Sequence, residues 1–136
     1  MHKSLGVRSH QRCEMIDVTA QVASAVAESG MGDGQVVIFV PHTTAGVTIN
    51  ENADPDVQHD ILLTLGELIP RVRGGYRHGE GNSDAHVKAS LVGSSETVLV
   101  EGGRLVLGTW QGIYFAEFDG PRTRRMHLAM FPSPAT

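Results

Sequence analysis

The chain has 136 residues, of which 40% are apolar and 19% charged, and it carries a net charge of −4 at pH 7. That length fits one domain spanning residues 1–136 with a core of its own, and the acidic balance gives no electrostatic basis for a nucleic-acid or anionic-membrane partner. A single cysteine, Cys13, excludes an intrachain disulfide and a cysteine-built zinc site. Sixteen glycines in a charge-poor chain point to tight turns and substantial β-structure. No apolar run approaches the roughly 20 residues that span a bilayer. The opening residues Met1–Leu5 lack the apolar stretch of a signal peptide, so the expected location is cytoplasmic. The first residues and the segment Pro132–Thr136 are expected to fray.

Ser4 to Met15 mixes polar and apolar residues without helical period and predicts an opening strand. A helix follows, with Thr19 as its cap, Val22 and Val26 one turn apart, and Gly30 as its stop. Gln35–Val40 is a buried strand ended by Pro41, and Val47–Ile49 is a second, shorter one. Asp54-Pro55 predicts a helix start, because aspartate accepts from free amide groups and proline lacks the N–H that the first helical position cannot use. Val57, Ile61, Leu65 and Leu68 give this helix an apolar face, and Pro70 ends it. Arg71–Asn82 reads as a loop, and Ser83 or Asp84 as the cap of a short helix through Leu91 that stops near Gly93. Thr97–Val100 and Leu105–Leu107 flank Gly102-Gly103, a pair that accepts the positive φ of a hairpin turn. Ile113–Phe118 and Met126–Phe131 complete an α+β pattern, an antiparallel sheet carrying a few helices.

His42 follows a buried strand directly and precedes Thr43 and Thr44, a position held firmly yet open to solvent. His78 and His86 bracket a glycine-containing loop. Three imidazoles drawn from two regions can form a divalent-metal set with an open position, although the spacing matches no local motif and equally describes unrelated surface histidines. Glu51 is free to act as a base or metal ligand, whereas Asp54 is a helix cap. Ser90, Gly93, Ser94 and Ser95 offer hydroxyls and approachable backbone, and Lys88, Arg122, Arg124 and Arg125 offer charge for a phosphate. Trp110, between glycines and beside Gln111, is either a stacking wall for a planar ring or an ordinary core or interface aromatic. His2, His10, His59 and His127 receive no role.

Taken in order, His42-Thr43-Thr44, the string from Thr48 to Val57, Ala85–Gly93 and Leu107–Ile113 resemble the YjbQ-like family, also called the secondary thiamine-phosphate synthase family. The resemblance runs over nearly the whole chain. It implies an α+β fold with a mostly antiparallel, barrel-like sheet, a homotrimer, and a polar cleft lined by His42, His78 and His86. It also implies a weak thiamine-phosphate synthase activity, joining a hydroxymethylpyrimidine pyrophosphate to a thiazole phosphate with release of pyrophosphate. Under that expectation His42, Glu51, His86 and Lys88 are catalytic. Thr43, Thr44, Asn50, Ser94, Trp110, Gln111, Arg124 and Arg125 contact the phosphorylated metabolite, and His42, His78 and His86 hold zinc or magnesium. Two alternatives stand beside it: metal-dependent hydrolysis of a phosphorylated metabolite, and a non-catalytic trimeric metabolite-binding protein.

Overall fold

Two antiparallel sheets curl around one core in the computed structural model, which describes residues 1–134. The chain runs β1 (His2–Arg8), β2 (Glu14–Asp17), α1 (Thr19–Ser29), β3 (Gly34–Phe39), β4 (Ala45–Glu51), α2 (Pro55–Leu68), α3 (Ser83–Val92), β5 (Ser95–Glu101), β6 (Arg104–Leu105), β7 (Gln111–Glu117) and β8 (Thr123–Pro132). One sheet has the order β1-β8-β3-β5-β6 and the other β2-β7-β4. The α+β class with a curled, mostly antiparallel sheet therefore holds. No helix of the described residues is long and apolar enough to cross a membrane.

Alternation in β3 and β8 sends Val36, Ile38, Met126, Leu128 and Met130 inward, where they meet Val47, Ile113 and Phe115 of the smaller sheet. Val22, Ala25 and Val26 of α1 close the same core. The opposite face of the smaller sheet is covered too, by Ala85 and Ala89 of α3 packed on Ala116 and Phe118. Strand β7 is thus buried on both faces, which is why its sequence reads as a continuous apolar run and not as an alternation.

Several local expectations are met. Gly30 caps α1 at φ 74°, Asp54 accepts from Asp56 N at the start of α2, and Gly102 and Gly103 turn the β5–β6 hairpin at φ 57° and 77°. Others change. The opening strand is two strands, since the chain switches sheets between Arg8 and Glu14. Thr19 does not cap α1: its Oγ1 donates to Asp17 Oδ1 at 2.7 Å and accepts from Ile113 N at 2.9 Å. No residue of α2 is fully buried and Leu68 is 70% exposed, so its apolar face rests lightly on the smaller sheet. The chain start does not fray either, because the Met1 ammonium donates to Met130 O and β1 pairs with β8 from His2 onward. At the other end β8 extends to Pro132 and Ser133 N donates to Asp33 O at 2.9 Å, while the last part of the predicted frayed segment lies outside the described residues.

Candidate functional site

The loop from β3 to β4 leaves the core at Val40 and presents His42, Thr43 and Thr44 beside the last turns of α3 and the β7–β8 connection. Two cavities meet there. One, of about 470 Å³, lies against Ala45, Ala89, Ser90, Gly93 and Ser94. The other, of about 330 Å³, is bounded by Thr44, Glu80, Asn82, Asp119, Arg122 and Arg124. His42, Thr43 and His86 belong to both. Single glycines and alanines make the approach possible: a Cβ on Gly46 would stand 2.5 Å from Gly93 O, so β4 can lie this close to the end of α3 only without one.

His42 is fixed from behind. Its Nε2 accepts the Arg125 backbone N–H at 3.0 Å, and its ring stands edge-on to Phe115 with 6.5 Å between centroids. An accepting Nε2 in a neutral ring places the proton on Nδ1. Burial lowers the His42 pKa below its ordinary 6.5, and the Arg124 guanidinium adds to the shift, so the ring is held neutral.

Beneath it lies a buried ion pair. Glu117, fully buried, accepts from Arg124 Nε at 2.9 Å, Arg124 NH2 at 2.5 Å, Ser9 Oγ at 2.7 Å and the backbone N–H groups of Phe118 and Asp119 at 3.1 Å. Burial alone would raise its pKa, but these donors overcome that and hold the carboxyl below its usual value. Arg124 also donates to Thr44 Oγ1 at 2.8 Å and so anchors the His42 loop. A second buried network holds α3. Asp84, fully buried, takes a bidentate pair of bonds from Arg12 at 3.0 Å and one from Lys88 at 3.2 Å, and its pKa is lowered because those donors outweigh desolvation.

The structure thus brings His42, Thr43, Thr44, His86, Ser94 and Arg124 to one cleft. His78 stands at its rim, its ring edge-on to His86 at 5.3 Å and its Nε2 3.6 Å from Glu80 Oε2. Other predicted residues are elsewhere. The Lys88 ammonium is spent on Asp84 inside the α3 network. Arg125 contributes its backbone N–H, not its guanidinium. Asn50, Glu51, Trp110 and Gln111 stand at the far end of the smaller sheet, where Glu51 pairs with Gln111 and Asn52 N donates to Trp110 O at 2.6 Å. From Ala45 to Glu51 the strand advances roughly 3.3 Å per residue, about 20 Å in all, so within one chain these residues do not reach the His42 cleft. The expected three-imidazole metal shell is not assembled either. Among the described residues no three His, Cys, Asp or Glu side chains are gathered to hold an ion, and His42 Nε2 is turned to the Arg125 amide.

The sequence profile described as UPF0047 protein YjbQ-like matches residues 3–133. The chain belongs to the YjbQ family. It is 54% identical to the UPF0047 protein YugU of Bacillus subtilis over 96% of this chain and 98% of that one. It is 55% identical to a UPF0047 protein of Methanocaldococcus jannaschii over 90% and 88%. Among solved structures, a yjbq/upf0047 family protein of Clostridium acetobutylicum superposes with a TM-score of 0.92 at 54% identity, covering 95% of this chain and 99% of that one. A protein of Sulfolobus solfataricus, described as YbjQ-like and of unknown function, gives 0.93 at 32% identity over 98% and 97%.

These YjbQ relatives correct the functional expectation. They are described only as UPF0047 proteins or as of unknown function, and none is described as a thiamine-phosphate synthase. The geometry agrees with that correction, because Trp110 and Gln111, expected as the wall for a pyrimidine ring, lie away from the cleft. Sequence reasoning also missed Glu117, Asn82 and Asp119. Glu117 carried a readable signal: a lone charge within the apolar run Ile113–Phe118 must be buried and paired. Asn82 and Asp119 carried none, since polar residues in loops are the ordinary case.

Proposed function

We propose that the cleft binds a small metabolite bearing an anionic group, a phosphate or a carboxylate, and that His42 and His86 flank it and move a proton on it. The observation that carries this reading is the neutral His42 ring, fixed at Nε2 by the Arg125 N–H and sharing both cavities with His86. A neutral imidazole with Nδ1–H is a hydrogen-bond donor, and a second imidazole in the same cleft offers a further donor or acceptor. Arg122, already paired with Asp119 at 3.1 Å, and the Thr43 hydroxyl add donors, and the charge of Arg124 is compensated by Glu117. Calorimetric titration with inorganic phosphate tests it on wild type, His42→Gln and His86→Gln. Saturable binding that weakens about tenfold in either variant, the worth of one lost charge-assisted hydrogen bond, is expected. Equal binding by all three proteins, or none by wild type, sinks the reading.

Self-association belongs to the same proposal. Phe39, Leu99 and Phe131 share the outer face of the larger sheet, Leu99 and Phe131 in register through Gln35 and Phe39 four residues further along β3, and are 44%, 62% and 51% exposed. No helix covers that face among the described residues, and apolar patches of this kind mark subunit contacts. Sedimentation that finds only monomer overturns this part.

A further inference from the structure

We infer that the ligand has two parts: a charged head held between Asn82 and Arg122, and an uncharged arm lodged against Ala45, Ala89 and Ser94, with the joining atoms between His42 and His86. The inference rests on the anion-binding reading above and specifies its ligand.

Three observations lead there. The two cavities differ in chemistry while sharing their dividing walls, His42, Thr43 and His86. On one side stand Glu80, Asn82, Asp119 and Arg122, donors and acceptors of both signs; on the other the wall is alanine, glycine and serine and bears no charge. A group that spans the cleft is therefore polar at one end only.

The charged compartment is also built for a partner of definite polarity. Asn82 is 7% exposed, and its Nδ2 is committed to Asp119 Oδ2 at 2.8 Å, which fixes the amide orientation. Its Oδ1 is left without a hydrogen bond among the described residues. A buried acceptor in that condition is costly and rare in native proteins, and it calls for a donor that the described residues do not supply. Asn82 occupies the N-cap position of α3, where an asparagine oxygen ordinarily accepts from the helix amides, and here it does not. The head accordingly brings an O–H or N–H donor together with its acceptor oxygens. A hydrogen phosphate or a phosphomonoester monoanion has that pattern, with one O–H for the Asn82–Asp119 side and unprotonated oxygens for Arg122, Thr43 and His42 Nδ1–H.

The second compartment sets the arm. Ala89 is 8% exposed and cannot recede, and the close approach of Gly46 to Gly93 fixes its floor, so this side of the cleft, about 470 Å³, receives an uncharged group. Ser94 closes it on the solvent side; its carbonyl holds Val40 N at 2.8 Å, while the residue itself is exposed and tolerates a larger side chain.

Calorimetry with inorganic phosphate and with n-propyl phosphate, on wild type, Ser94→Leu and Arg122→Gln, decides the matter. In wild type the propyl ester is expected to bind about 60-fold more tightly than phosphate, since each of its three buried carbons is worth about fourfold. Ser94→Leu fills the arm compartment, so the ratio of propyl-phosphate affinity to phosphate affinity should fall to about one. Arg122→Gln should weaken both ligands by the same factor. No preference in wild type, or an undiminished preference in Ser94→Leu, overturns the two-part ligand even if phosphate binds. Wild type that binds neither probe overturns the underlying anion reading, and the two-part ligand falls with it.

Discussion

Replacing Glu117 by glutamine keeps shape and volume and removes one charge, which isolates the electrostatic role of the pair beneath His42. The carboxylate accepts five hydrogen bonds, two of them from the Arg124 guanidinium. Glutamine offers one acceptor oxygen and turns an NH2 group toward donors, leaving Arg124, 7% exposed, without a counter-charge. Removing one partner of a buried ion pair costs about 3–5 kcal/mol. For a chain of this size that corresponds to a fall in Tm of roughly 10–20 °C. Urea unfolding followed by circular dichroism measures the loss directly, with an unchanged slope showing that compactness is kept. The double variant Glu117→Leu with Arg124→Met removes both charges and is expected to recover most of the stability, because apolar side chains replace buried pairs at little cost. A loss below about 1 kcal/mol in Glu117→Gln, or a double variant less stable than the single one, refutes the reasoning.

Stability should fall with pH in two windows. The folded state holds His42 below its ordinary 6.5, so its contribution is complete above that pH and is lost as pH falls through the folded value. Asp17, Asp84 and Glu117 are held below 3.8, 3.8 and 4.5, so theirs is complete above about pH 4.5 and is lost in stronger acid. Urea midpoints measured across pH should show both steps, and His42→Gln should abolish only the upper one; an upper step that persists there removes His42 as its source. Gly46→Ala places a methyl 2.5 Å from Gly93 O and should cost about 1–3 kcal/mol while shifting the cleft wall at Gly93 and Ser94. Unchanged thermal stability and phosphate binding in that variant would show that β4 and α3 are not held as close as described.

The sequence by itself determined what short-range energetics control. Gly30 stops a helix because it alone adopts φ 74° freely, Asp54-Pro55 starts one, and Gly102-Gly103 turns a hairpin, each decided within a few residues. The loop position of His42 was legible for the same reason, one step past a buried strand with hydroxyls after it. Only the tertiary structure decided which charges are structural. Arg12 and Asp84 lie 72 residues apart and His42 and the Arg125 amide 83 apart, and no periodicity encodes such pairings. Lys88 and Arg124 read as phosphate ligands until packing buried them against Asp84 and Glu117, where desolvation makes an opposite charge obligatory. Glu51 and His42 lie nine residues apart in the chain, but an extended strand carries β4 away from the cleft, so closeness in sequence becomes distance in space.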